Sequence, residues 1–573
     1  MLAPTFFIHF LLLVSLPFTT LAIPTPSASI NAGTKKSIGS GLQNVWSLLC
    51  DIKILNKIFC SSKAGNSATV LTPLGLATGV ADTSTVARFV VKYANAGRWQ
   101  QSTMVTTWQL PNGATDPSSM PSACPQPPSA ENSSPTDEDC LSMIIYVPAS
   151  AAAGSIPALM WIHGGSFILG SATGPGLDGA ALATATNSIV AVIQYRLGAF
   201  GFLSPSNGQA NLAVRDTMMA LQFLHKVLPS FNGNPNKITI AGQSSGASMV
   251  RALLATPSAS SLFNNAILQS DPMDFGFLSP GAFQSINNFL INQLPCSSSN
   301  TTCLNNISTD DVLQFSLQTF GAAVSVDASA GTFEPLRPVH DGSLITNAMD
   351  LTTSFPSVNK KILISTVLDE AGSAIFETVD PDPVPASDFF ANVNATLGES
   401  RTTTVVNSPF YPVPSPGSAD FSTFDARTQL ENLGTDQIWR CANWAFARLW
   451  AAHGGAVYVG EYVVGATYPD NADIDFCTQG GTVCHEDDIE IVFGTVPSPT
   501  SAQASLTAQM QARYKSFMAN GNPNTAGQAY WSPVSGSNVN ALVLGGTGTV
   551  AVGACTPSFW GQAVPFDYQV FGA

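Results

Sequence analysis

The stretch Lys237-Ile-Thr-Ile-Ala-Gly-Gln-Ser-Ser-Gly-Ala247, KITIAGQSSGA, joins a β-branched run to a helix-forming one, SMVRALLA, through two glycines that bracket two serines. A strand, then G-x-S-x-G, then a helix describes a cramped turn. Its glycines let neighbouring chains approach closely while the middle serine projects its hydroxyl. Ser244 holds that middle position, and Ser245, at the helix start, offers a backbone N–H. A bare G-x-S-x-G is equally a glycine-rich turn with a capping serine, so its surroundings decide. Upstream, ALMWIHGGSFILG runs a strand into His163-Gly164-Gly165-Ser166, a source of consecutive backbone N–H groups able to hold an oxyanion.

A serine hydroxyl needs a base near neutral pH, and the base needs an orienting carboxylate. On a strand-elbow-helix scaffold the chain order is Ser, then Asp or Glu, then His. Of six histidines, His9 lies in the N-terminal apolar segment, and His163, His225 and His340 precede any suitable acid. His453, in RLWAAHGG, reads as a helix C-terminal cap. His485, in VCHEDDIEIVFG, is the better base. Asp369 and Glu370 end the strand-like ILISTVL, where a carboxylate projects over the carboxyl edge of a sheet; residue chemistry leaves both open.

Strand-like runs (ATVLTPLG, ARFVVKYA, CLSMIIYVP) precede alternating strands and helices (ALMWIHGG, SIVAVIQY, TMMALQFLHKVL, KITIAG, SMVRALLA, NNAILQS). This order predicts an α/β fold: a large, mostly parallel central sheet with antiparallel N-terminal strands and helices on both faces. Pro280 to Pro356 reads as helices and loops before the strand KKILISTVL. Pro/Ser-rich stretches are loops rather than linkers, because chemistry-bearing segments flank them.

FFIHFLLLVSL followed by Thr20-Leu21-Ala22 has the pattern of a secretory signal peptide, residues 1–22, with cleavage expected after Ala22. Residues 23–67 form an extension with helical spacing at Leu42, Val45, Trp46, Leu49, Ile52 and Leu55, and residues 68–573 carry the main domain. No later run spans a bilayer, so stable membrane insertion is not expected. Ten cysteines in an exported chain imply disulfides. Short separations pair Cys50 with Cys60, Cys124 with Cys140, Cys296 with Cys303 and Cys477 with Cys484, leaving Cys441 for Cys555. Sequons at Asn132, Asn300, Asn306 and Asn394 fit glycosylated surface loops. A net charge of −15 opposes nucleic acid or anionic membrane as partners.

In order along residues 68 to 565, ACPQ with DEDCLSMIIYVP, WIHGGSF, QYRLGAFGFL, NLAVRDTMMALQFL, FNGNPNKITIAGQSSGA, FNNAILQS, VLDEAGSAIF and CHEDDIEIVFG resemble the type-B carboxylesterase and lipase family, cholinesterase-like α/β-hydrolases, and most of all its secreted fungal members. The resemblance implies a secreted serine esterase with Ser244 as nucleophile, Glu370 as acid, His485 as base, and the N–H groups of Gly165, Ser166 and Ser245 as oxyanion donors. It implies small-molecule or lipid ester substrates and neither metal nor organic cofactor. The alternatives are an interfacial lipase of the same fold or a non-catalytic adhesion protein. Four departures stand out: Gln243 where the family usually has Glu, Ala371 inside the DEG pattern, Ser166 for the third glycine, and Asp271 for the glycine after ILQS.

Overall fold

The computed structural model describes residues 67–129, 135–149, 155–331, 333–349, 358–379 and 383–572. The signal segment, the extension up to residue 66, Cys50, Cys60 and Asn132 lie outside these. Thr69–Ala573 forms one compact unit.

Among the described residues eleven strands make the central sheet: β1 (Ser67–Thr72), β2 (Gly75–Ala81), β3 (Val86–Lys92), β4 (Ser142–Pro148), β5 (Ile156–Ile162), β6 (Ile189–Ile193), β7 (Gly233–Gln243), β8 (Asn265–Gln269), β9 (Lys361–Val367), β10 (Val457–Tyr462) and β11 (Leu542–Leu544). Their spatial order is β1-β2-β3-β4-β6-β5-β7-β8-β9-β10-β11. β2, β3, β4 and β6 pair antiparallel in turn, and every pairing from β6 through β5 to β11 is parallel. The expected mixed sheet is therefore present. The run ATVLTPLG is not one strand, however, because Pro73 cannot donate to a ladder; it breaks into β1 and β2 around a turn in which Thr72 Oγ1 donates to Gly75 O over 2.8 Å.

The parallel strands read as apolar runs because both faces are covered; Ala158 to Ile162 and all of β6 are buried. Helix α1 (Leu212–Val227) precedes β7 and α2 (Ser245–Leu254) follows its elbow, and every residue of α2 is buried. The region after β8 holds α3 (Pro280–Gln293) and α4 (Thr309–Val326), each opened by a serine, Ser279 or Ser308, that accepts the third residue's N–H. α5 (Cys441–Ala452) precedes β10, and α6 (Ser501–Asn520) packs on β5 and β7. Asp271 acquires an explanation: fully buried, it takes Arg251 Nε at 2.7 Å and the Ser248 hydroxyl at 2.7 Å, so a charge placed where a glycine is usual neutralises a buried guanidinium of α2.

Disulfides join Cys124 to Cys140, Cys296 to Cys303, Cys441 to Cys555 and Cys477 to Cys484. Asn300 and Asn306 are exposed and Asn394 is half-buried. Among the described residues no helix is long and apolar enough to cross a membrane.

Candidate active site

The carboxyl ends of β5, β7 and β9 deliver three loops to one rim of the sheet, where ligands of such sheets bind. At the end of β7, Ser244 takes φ 57° and ψ −128°, a conformation costing about 1–3 kcal/mol that the surrounding packing must hold. Its N–H donates to Gln269 O on β8 at 2.9 Å, and its carbonyl accepts from Ala247 and Ser248. The flanking glycines are required by close approach. A Cβ at Gly242 would stand 2.4 Å from Gly246 O, and one at Gly246 would stand 2.2 Å from Ile162 O and 2.6 Å from His163 O.

That contact seats the loop after β5 beside the serine. A Cβ on Gly164 would lie 2.7 Å from Gln243 Oε1 and 3.1 Å from Ser244 Cβ. Gly165 (φ 101°) and Ser166 (φ 49°) turn their backbone in the left-handed region. The N–H groups of Gly165, Ser166 and Ser245 find no acceptor among the described residues, which leaves them free for an anion. His163 itself turns away: it stacks on Tyr195 at 4.6 Å, its Nδ1 is 2.9 Å from Gly164 O, and burial pushes its imidazole down to about 4. It is a neutral scaffold residue.

His485 stands on the loop closed by Cys477 and Cys484. Its Nδ1 is 2.6 Å from Glu370 Oε2, and Glu370, whose side chain is fully buried, also accepts Val367 N at 2.9 Å. Asp369 serves differently. Its carboxylate accepts Val483 N at 2.8 Å and its N–H donates to Val483 O at 2.9 Å, which straps the turn after β9 to the histidine loop. Of the two acids left open by residue chemistry, Glu370 meets the imidazole. The loop is anchored further by Asp487, which accepts from Tyr468 N, Asn471 Nδ2 and Cys484 N, while Asn471 also donates to His485 O at 2.7 Å. Burial raises Asp487 to about 7 and Asp488 to about 6. Gln269 Nε2 donates to Asp488, while Gln269 Oε1 accepts the Tyr514 hydroxyl at 2.9 Å.

No hydrogen bond joins Ser244 to His485 here; Gln243 Nε2 sits 3.1 Å from His485 Nε2 instead. Such contacts often tighten only with substrate bound. Sequence reading flagged Gln243 as a departure but not its contact with the imidazole. It missed Trp439 altogether, whose ring lies 5.3 Å from the imidazole. Trp439 belongs to a π-helical turn, Thr435–Arg440, and that widened register hides its facing from a 3.6-residue period. His225 and His453 bond backbone carbonyls of Leu262 and Leu449, away from this rim.

The carboxylesterase family model matches residues 67–555. Over 423 residues the chain is 26% identical to the "Crystal protein" of Dictyostelium discoideum, covering 71% of this chain and 74% of that one. It is 36% identical to human carboxylesterase 5A over 208 residues, 35% of this chain and 36% of the relative. With the para-nitrobenzyl esterase of Bacillus subtilis it shares 38% identity over 158 residues, 26% of this chain and 32% of the relative. These last two alignments span about a third of the relatives' lengths. A solved structure titled PNB esterase superposes with a TM-score of 0.67 at 23% identity, covering 83% of this chain and 95% of that one, a likeness of fold.

Gly246→Ala is expected to displace the backbone of Ile162 and His163, because the added carbon meets carbonyl oxygens rather than yielding side chains. Thermal unfolding should show a clearly lowered midpoint; a midpoint equal to the parent's would show that the close approach is not a constraint.

Proposed function

The chain belongs to the carboxylesterase family, and on that premise we propose that it hydrolyses carboxylic esters through an acyl-enzyme formed on Ser244, with His485 as base and Glu370 as the acid that orients it. Ester hydrolysis on small-molecule substrates follows from the family. The serine mechanism rests above all on one observation: a buried carboxylate 2.6 Å from the imidazole Nδ1, next to a strained serine elbow. With Nδ1–H donated to Glu370, Nε2 is left as the lone pair that can take the Ser244 proton.

In this reading Ser244 Oγ attacks the ester carbonyl as His485 Nε2 accepts its proton. The negative charge gathers on the former carbonyl oxygen, facing the N–H groups of Gly165, Ser166 and Ser245; loss of one such donor costs about 10²–10³ in rate. The alcohol departs with the proton from His485. Water, deprotonated by the same imidazole, then frees the acid. No step calls on a metal or organic cofactor.

The proposal extends to export: a signal peptide at 1–22, an extension at 23–67, the hydrolase domain at 68–573, and glycans at Asn132, Asn300, Asn306 and Asn394. The disulfides among the described residues suit an oxidising compartment.

Ser244→Ala is expected to abolish turnover of a p-nitrophenyl ester and labelling by a fluorophosphonate; near-normal turnover would refute the nucleophile. Across p-nitrophenyl esters of rising acyl length, kcat/KM should be greatest for short, monomeric substrates, whereas activation above micelle formation would make the enzyme an interfacial lipase. Gln243→Glu should move the acidic inflection of kcat/KM to higher pH. The new carboxylate beside Nε2 favours the imidazolium, so the neutral base is lost sooner as pH falls. The acids already around the ring, Glu370, Asp488, Glu486 and Asp369, stay as they are. An inflection that holds still or falls would sink this account of Gln243.

A further inference from the structure

A small cavity adjoins Gln243, lined among others by Trp161, His163, Leu177 and Glu486, and the space open to a water's centre is about 10 Å³. Three of its lining residues carry a buried polar atom with no hydrogen-bond partner: Trp161 Nε1, His163 Nε2 and Gln243 Oε1. The geometry points to one ordered water in this cavity, donating to Gln243 Oε1 and His163 Nε2 and accepting from Trp161 Nε1. It also assigns Gln243 as a positioning residue, whose amide reverses as the His485 imidazole gains and loses its proton. The second half rests on the proposed role of His485 as base.

The valences agree. His163 uses Nδ1 toward Gly164 O, which makes Nδ1 the protonated nitrogen and Nε2 an acceptor; its burial, with the pKa near 4, keeps the ring neutral. Gln243 Oε1 is a second acceptor and the Trp161 indole N–H a donor. Two acceptors and one donor are what a single water satisfies. Buried waters make about three such bonds, and the space is at the lower limit for one molecule. Left dry, each atom would carry the desolvation cost of a buried unsatisfied group. Glu486, half-buried, keeps its own access to solvent.

The orientation of the Gln243 amide follows from both sides. Facing it, His485 donates from Nδ1 to Glu370 and presents a lone pair at Nε2, so the amide nitrogen must face the ring at 3.1 Å and the oxygen must face away. Once the imidazole has taken the serine proton, Nε2 carries hydrogen and the amide nitrogen becomes the wrong partner. Reversal brings the amide oxygen to the imidazolium and its N–H₂ to the rear. A fixed protein donor there would resist that reversal. A water does not, since it donates to Oε1 in one state and accepts from Nε2 in the other while keeping Trp161 and His163.

A crystal structure of the full chain, at a resolution that places waters, is expected to show one peak within hydrogen-bonding distance of Gln243 Oε1, His163 Nε2 and Trp161 Nε1. An empty cavity, or a peak that does not reach Gln243, overturns the inference. Trp161→Phe, which removes the donor together with the five-membered ring of the indole, should lower kcat about three- to tenfold, as for one lost hydrogen bond, with KM held within about twofold; unchanged kcat, or a loss confined to KM, overturns the positioning role. Labelling of Ser244 by a phosphonate judges the serine mechanism separately, so a labelled enzyme with a dry cavity defeats this inference alone.

Discussion

The contact between the elbow of β7 and the end of β5 is the constraint from which the site grows. Gly246 lies so near the carbonyls of Ile162 and His163 that no side-chain carbon fits between them. That proximity fixes the height of Ser244 relative to the loop carrying Gly165 and Ser166, and hence the distance between an attacking oxygen and the N–H groups that would receive the charge. A conformation as unfavourable as that of Ser244 persists because two strands hold it: β5 on one side, and β8 on the other through Gln269 O.

The second organising feature is the treatment of negative charge. The rim gathers Asp369, Glu370, Asp487 and Asp488, all largely or wholly removed from water, so each carboxylate must find donors. Asp369 and Asp487 are spent on backbone N–H groups of the histidine loop, and Asp488 on Gln269. Glu370 alone meets the imidazole. The acids that do not touch His485 therefore hold its loop still, and a rigid loop is what keeps Nδ1 within 2.6 Å of Glu370. Gln243 continues the same logic, since an uncharged amide beside Nε2 adds no further anion to a crowded rim.

Much of this was legible in the chain. The elbow could be read because its glycines answer a local need, and Glu370 and His485 could be narrowed by chain order and by place at a strand end. Asp271 could be marked as unusual but not explained, since its partner Arg251 faces it only once β8 and α2 are packed together. Trp439 left no mark, because a π-helical turn shifts a residue's facing without altering its hydrophobic pattern.

By itself, then, the sequence determined the layered α/β architecture, the identity of the elbow serine and the short list of groups able to serve it. These depend on local spacing, alternation and backbone freedom, which are properties of neighbours along the chain. Only the tertiary structure decided which of two adjacent acids meets the imidazole, that Asp369 straps a loop instead, and that the Gln243 amide stands against Nε2 with a small polar cavity behind it. Those outcomes depend on side-chain directions between segments more than a hundred residues apart, where a hydrogen bond forms or fails over a fraction of an ångström.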